Sequence, residues 1–353
     1  MKPAVGQLQS IQALRAVAAL SVFFFHYAET LRIEFGFPPG LFSIGDAGVD
    51  IFFVISGFIM CLTTDRPDQR SPGQFAVKRL ARILPLYYVM TLGVFALALV
   101  APHLLGSTTA SLGNLVKSLL FVPYAREDGM VQPILFLGWT LNYEMFFYAI
   151  FTLALLTGRP AIAAIGVIVA LVVAGAFIPD GNVVVDFYTS GILLEFVFGC
   201  LLYLAFRHRP HWLKAVSLLW VVGVLALAAQ NFYPQDLPRE IGRGLPALLI
   251  VGGLLGSEAR AGGVIQSALA RLGDASYSLY LGHPYVIALT TKVAVAVFGA
   301  SLVSAALVGV ASLAVTIVAS LLMFALLERP SNEWLRRILL GERPRSSQAR
   351  SAG

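Results

Sequence analysis

Eight ionisable side chains stand inside long apolar stretches of this chain: Arg15, His26, Asp46, Asp50, Glu144, Glu195, His283 and Lys292. A charge kept at the centre of a membrane helix costs about 2.5–3.5 kcal/mol on insertion scales, so each of them is a candidate for function. An imidazole titrates near neutrality and a carboxylate can fix its tautomer, so His26 with Asp50 or Glu144 has the makings of general-base chemistry. Arginine grips phosphate-like anions bidentately. Arg15, the run Lys78, Arg79 and Arg82, and His283 therefore form a group suited to an anionic ligand. Plainer roles compete for several of these. Arg15 and Lys292 could snorkel to headgroups, Asp46 could cap a helix start, and the basic run could mark topology. Glu144 and Glu195 resist such readings, because neither has a base within a turn or two of its own stretch.

The elements that must hold these groups are membrane helices. Of 353 residues 58% are hydrophobic and only 12% charged, and the mean hydropathy is +0.80. Soluble domains carry about 25% charged residues, so a water-soluble globule is excluded and an all-α, polytopic membrane protein is expected. Apolar runs long enough to cross a bilayer predict ten spans near 11–28, 46–63, 84–104, 138–157, 160–178, 189–206, 212–229, 243–256, 276–298 and 303–327. The stretch 112–124 is short and carries Lys117, which suits an interfacial segment. The polar intervals are too short for a separate domain, so residues 1–340 read as one membrane domain and 341–353 as a disordered cytoplasmic tail. Arg15 interrupts the first apolar run and no small-residue cleavage site follows, so that run is expected to stay attached. The two cysteines, Cys61 and Cys200, are too few for a disulfide framework or a cysteine-rich metal site, and no metal is expected.

Basic loops resist translocation. With the N-terminus inside, eighteen lysines and arginines fall on the inner side and five, Arg32, Lys117, Arg126, Arg239 and Arg243, on the outer. Both termini are therefore expected in the cytoplasm, and nucleic-acid binding is not needed to explain the +6 charge. At a helical rise of about 1.5 Å per residue, His26 lies roughly 16 Å further out than Arg15. The same count puts Asp46, Asp50, Glu144, Glu195 and Lys292 in the outer half, and His283 in the inner half with Arg15 and the basic run. Two layers result, which suggests a cytosolic anionic donor serving an external acceptor.

Several segments, taken in order, resemble the acyltransferase-3 family of integral membrane acyltransferases. The first span, QALRAVAALSVFFFH, carries Arg15 and His26; GVDIFFVISGF runs from Gly48 to Phe58; KRLARILP from Lys78 to Pro85; SYSLYLGHP from Ser276 to Pro284; and LERP closes from Leu327 to Pro330. GWTLNYEMFFY, from Gly138 to Tyr148, resembles the subgroup that acetylates bacterial exopolysaccharides. Gly282 stands where a tryptophan is usual, so no role for that ring carries over. The fused extracytoplasmic hydrolase-like domain of some relatives has no counterpart in these segments, which suits an acceptor handled by the membrane domain. The resemblance implies transfer of an acetyl group from acetyl-CoA to a hydroxyl of a carbohydrate or lipid-linked carbohydrate, in the bacterial cytoplasmic membrane. It further implies coenzyme A phosphates held by Arg15, Arg79 and Arg82, and His26 as general base or, alternatively, as nucleophile through an acetyl-histidine. Lipopolysaccharide, a lipochitin signal or an antibiotic hydroxyl remain alternative acceptors. A sugar or lipid carrier, or a nonenzymatic scaffold, are the rival classes.

Overall fold

The computed structural model describes residues 8–66, 69–105, 108–208, 215–232, 237–256 and 264–341. Fourteen α-helices are found among them: α1 Gln9–Phe35, α2 Gly48–Thr63, α3 Pro72–Val100, α4 Leu112–Leu119, α5 Gly138–Ala154, α6 Pro160–Gly175, α7 Val183–Tyr188, α8 Leu194–His208, α9 Leu219–Phe232, α10 Leu245–Gly256, α11 Val264–Asp274, α12 Ser276–Phe298, α13 Leu302–Met323 and α14 Arg329–Leu340. No strand is present among the described residues beyond an isolated bridge between Ala125 and Val131. The all-α expectation holds.

Among the described residues seven helical stretches are long and apolar enough to cross a membrane, and two shorter apolar helices lie at Pro160–Gly175 and Leu219–Gln230. Each of the ten expected intervals contains helix, but α6, α9 and α10 fall short of the roughly 20 residues a bilayer core needs. The third span departs most from expectation. Ser71 caps Gln74 N–H and Pro72 occupies the first turn, so α3 begins at residue 72 and not near 84. Lys78, Arg79 and Arg82 are consequently helical, where a cytoplasmic loop was expected. Apolarity alone misses these turns because their charged side chains face protein. The expected tail from residue 342 onward lies outside the described residues.

The chain divides into two compact units, one of Met1–Thr63 with Leu194–Met323, the other of Thr64–Leu193 with Phe324–Gly353. In the first, α1 and α2 carry the core, and small residues set how closely helices approach. A Cβ on Gly57 would meet the Phe196 carbonyl, and one on Gly199 the Val54 carbonyl, so α2 and α8 touch backbone to backbone. Cys61 and Cys200 are both buried thiols outside any disulfide, and the Cys200 thiol points at the Gly57 carbonyl. They are packing residues of this contact. Helix α13 is turned inside out: Ser304, Ser312, Thr316 and Ser320 are buried, while Val310, Val318 and Leu322 are exposed. Apolar side chains outward and small polar ones inward is the pattern of a helix in lipid. The protein is a multi-pass membrane protein.

In the second unit α3 packs against α5 and α14. Tyr87 is fully buried and donates to the Ser118 carbonyl at 3.0 Å, which ties the end of the short helix α4 to α3. Gly138 starts α5 directly beneath the Tyr87 ring, where a Cβ would sit 2.8 Å from Tyr87 Cε2.

Candidate active site

In the first unit, α1 and α12 lie side by side and are joined at two levels. Arg15 donates to the Ser276 hydroxyl at 2.9 Å and to Gln12 Oε1 at 3.1 Å. Further along both helices, His283 Nε2 lies 3.2 Å from His26 Nδ1. The ring of His26 folds back along α1, with Nδ1 2.9 Å from the Val22 carbonyl. His283 does the same on α12, with Nδ1 3.1 Å from the Leu279 carbonyl.

When both rings are neutral, these distances favour one tautomer of each. A carbonyl oxygen only accepts, so each ring carries its hydrogen on Nδ1. His283 Nε2 is then a lone pair facing the Nδ1–H of His26, which is shared between His283 and Val22. In that tautomer the unprotonated nitrogen of His26 is Nε2. His283 is fully buried, with Phe23 and Tyr280 each 6.2 Å from it, ring centre to ring centre. His26 is half-buried and lines a cavity of about 530 Å³ together with Glu29, Thr30, Glu34, Ile287 and Lys292.

Two expectations are corrected here. Counting depth from span ends grouped His283 with Arg15; the structure places its imidazole against His26, because the contact between α1 and α12, not the span ends, sets their register. Asp50 or Glu144 is expected from the sequence to orient the His26 ring or to bind sugar hydroxyls; the groups found at Nδ1 of that ring are the Val22 carbonyl and His283.

Asp50 is instead clamped. Arg239 donates from Nε and Nη2 to its two carboxylate oxygens at 2.9 and 2.7 Å, and from Nη1 to Asp46 at 3.3 Å. Arg243 completes the group with a bond from Nε to Asp46 Oδ1 at 2.7 Å. Asp50 is 0% exposed and Arg239 27%. Burial by itself would lower the Arg239 pKa, but the Asp50 and Asp46 carboxylates outweigh it and hold the guanidinium above its ordinary value. Glu195 is buried beside this cluster with neither carboxylate oxygen hydrogen-bonded. Gly244, in the π-helical turn Glu240–Gly244, leaves it room, since a Cβ there would sit 2.9 Å from Glu195 Cγ. Arg239 and Arg243 read in sequence as outer-side topology charges; nothing local marks them as partners of carboxylates 189 and 197 positions away.

The second unit holds the other predicted residues. Arg79 lies over the Phe75 ring, 5.4 Å from its centre, in electrostatic reach of Arg82, Glu144, Tyr148 and Arg336. Glu144 accepts a short hydrogen bond from the Tyr148 hydroxyl one turn along α5. Glu144 therefore belongs with the arginines, where depth counting had set it in the outer layer. Three guanidinium groups around one carboxylate leave this cluster net basic. Arg336 and Tyr148 were missed in sequence: Arg336 sits among the charged positions of α14, and Tyr148 looks like one more aromatic of an apolar run.

The chain belongs to the acyltransferase-3 family, whose acyltransferase domain its residues 8–325 match, and it is an O-acyltransferase. It is 36% identical to the exopolysaccharide production protein ExoZ of Rhizobium meliloti over 82% of this chain and 90% of that one. It is 29% identical to the acyltransferase MdmB of Streptomyces mycarofaciens over 96% and 95%. It is 27% identical to a putative membrane-bound transacylase, BcsY, of Komagataeibacter xylinus over 96% and 86%. No solved structure gives a significant match.

Proposed function

We propose that the protein transfers an acetyl group from cytosolic acetyl-CoA to a hydroxyl of a bacterial exopolysaccharide or of its lipid-linked precursor, at the bacterial cytoplasmic membrane. The observation that carries this reading is the His26–His283 pair at the cavity wall. The acceptor hydroxyl gives its proton to His26 Nε2 as its oxygen bonds to the thioester carbonyl carbon. The adduct collapses, the C–S bond breaks, and the departing thiolate takes the proton from His26. His283 accepts from Nδ1–H throughout, holding the ring in one tautomer and stabilising the imidazolium. Arg79, Arg82 and Arg336, with Lys78 as a further cation, supply a basic site for the phosphates of the coenzyme. The donor is written here as a co-substrate. The similarity to an exopolysaccharide production protein supports the acceptor class.

The test compares extracellular polysaccharide from deletion cells with that from cells complemented by the wild-type gene. Loss and return of O-acetyl ester signals is the expected result. Unchanged acetyl content on deletion contradicts the reading.

A further inference from the structure

The cavity at His26 has a composition that the proposed chemistry does not use. It runs along the C-terminal third of α1 and the matching length of α12, beginning at His26 and Pro284 and continuing past Glu29, Thr30 and Glu34 on one wall and Thr291 and Lys292 on the other. Ile33, Ile287 and Val295 add aliphatic lining. At about 530 Å³ it has the size of a small-molecule site, for which roughly 300–1,000 Å³ is usual.

We infer that this groove is the subsite for a sugar ring of the acceptor. The inference rests on the proposed function and names the part of the acceptor that the protein grips. Carboxylates and threonine hydroxyls accept hydrogen bonds from sugar hydroxyls, and the ammonium of Lys292 donates to them. The aliphatic lining suits the C–H face of the ring. Glu29 is the nearest of these groups to His26 in sequence, one helical turn beyond it. Its Oε2 already accepts from Arg32 at 2.8 Å, which fixes the carboxylate in place. A ring bound at Glu29 and Lys292 puts one hydroxyl toward His26 Nε2, so the groove also decides which hydroxyl is acetylated.

The test uses the full-length protein in proteoliposomes with acetyl-CoA and, as acceptor, oligosaccharides cut from chemically de-O-acetylated polysaccharide of the deletion strain. Acceptor and donor KM are measured for the wild type, for Glu29→Gln and Lys292→Met, which remove charge at nearly constant size, and for Ile33→Trp, which fills the groove. A site built to hydrogen-bond hydroxyls loses heavily when a partner is removed, so acceptor KM should rise about tenfold or more in each variant while donor KM stays unchanged. An unchanged donor KM also shows that each variant is folded. Wild-type transfer with unaltered acceptor KM in Glu29→Gln and Lys292→Met overturns the groove assignment alone. A wild-type protein that acetylates none of the oligosaccharide overturns the groove and the proposed function together.

Discussion

His283 Nε2 lies 3.2 Å from His26 Nδ1, across 257 positions of chain. His283 is fully buried, with a contact at each ring nitrogen, whereas His26 stands at the wall of the cavity.

A positioning role for His283 predicts an intermediate phenotype. His283→Ala should lower kcat by roughly tenfold or more with little change in either KM, since a misoriented base weakens proton transfer and not binding. His283→Gln, whose amide oxygen can still accept from Nδ1–H, should recover part of the loss. A purely structural role would instead reduce folded yield in both variants and leave kcat per folded molecule intact.

The Asp50–Arg239 clamp predicts a stability effect. Removing one partner of a buried ion pair costs about 3–5 kcal/mol because the other charge is stranded; with Arg239 partly exposed, the lower end applies. Arg239→Met should lower Tm in detergent sharply, and the double variant with Asp50→Asn should recover part of that loss. Simple additivity of the two single losses would show that the clamp is not a coupled pair.

The backbone contact between α2 and α8 predicts another. Gly57→Val places a side chain where the Phe196 carbonyl already sits, and overpacking of this kind costs typically about 1–3 kcal/mol or more. The readout is folded yield and Tm, with Gly93→Val, where a Cβ meets nothing within 4 Å, as the unaffected control.

For the basic cluster, Arg79→Ala and Arg82→Ala should each raise the KM for acetyl-CoA about tenfold, as expected for loss of a charge-assisted contact to phosphate, with acceptor KM unchanged. An unaltered donor KM removes these residues from the coenzyme site.

Much of this was legible in the residues. Apolar length located the helices, and the cost of intramembrane charge singled out His26, His283, Asp46, Asp50, Glu144 and Glu195, while Arg79 and Arg82 stood out only as a basic run and Arg239, Arg243, Arg336 and Tyr148 did not stand out as partners. Partnership was not legible. Counting along one helix gives the depth of Asp50 but not that Arg239, 189 positions on, takes both its oxygens. Depth also failed between helices, since α1 and α12 are registered by their own contact, which brings His283 to His26. The start of α3 was hidden because Lys78, Arg79 and Arg82 are turned toward protein, a distinction that hydropathy does not make.

The central claim is that His26 is the base. Its most direct test is the O-acetyl content, by proton NMR, of extracellular polysaccharide from deletion cells carrying either the wild-type gene or His26→Ala at equal membrane levels. The wild type should restore the acetyl signals and His26→Ala should leave transfer lower by on the order of 10² or more. Wild-type acetylation by His26→Ala would contradict the account.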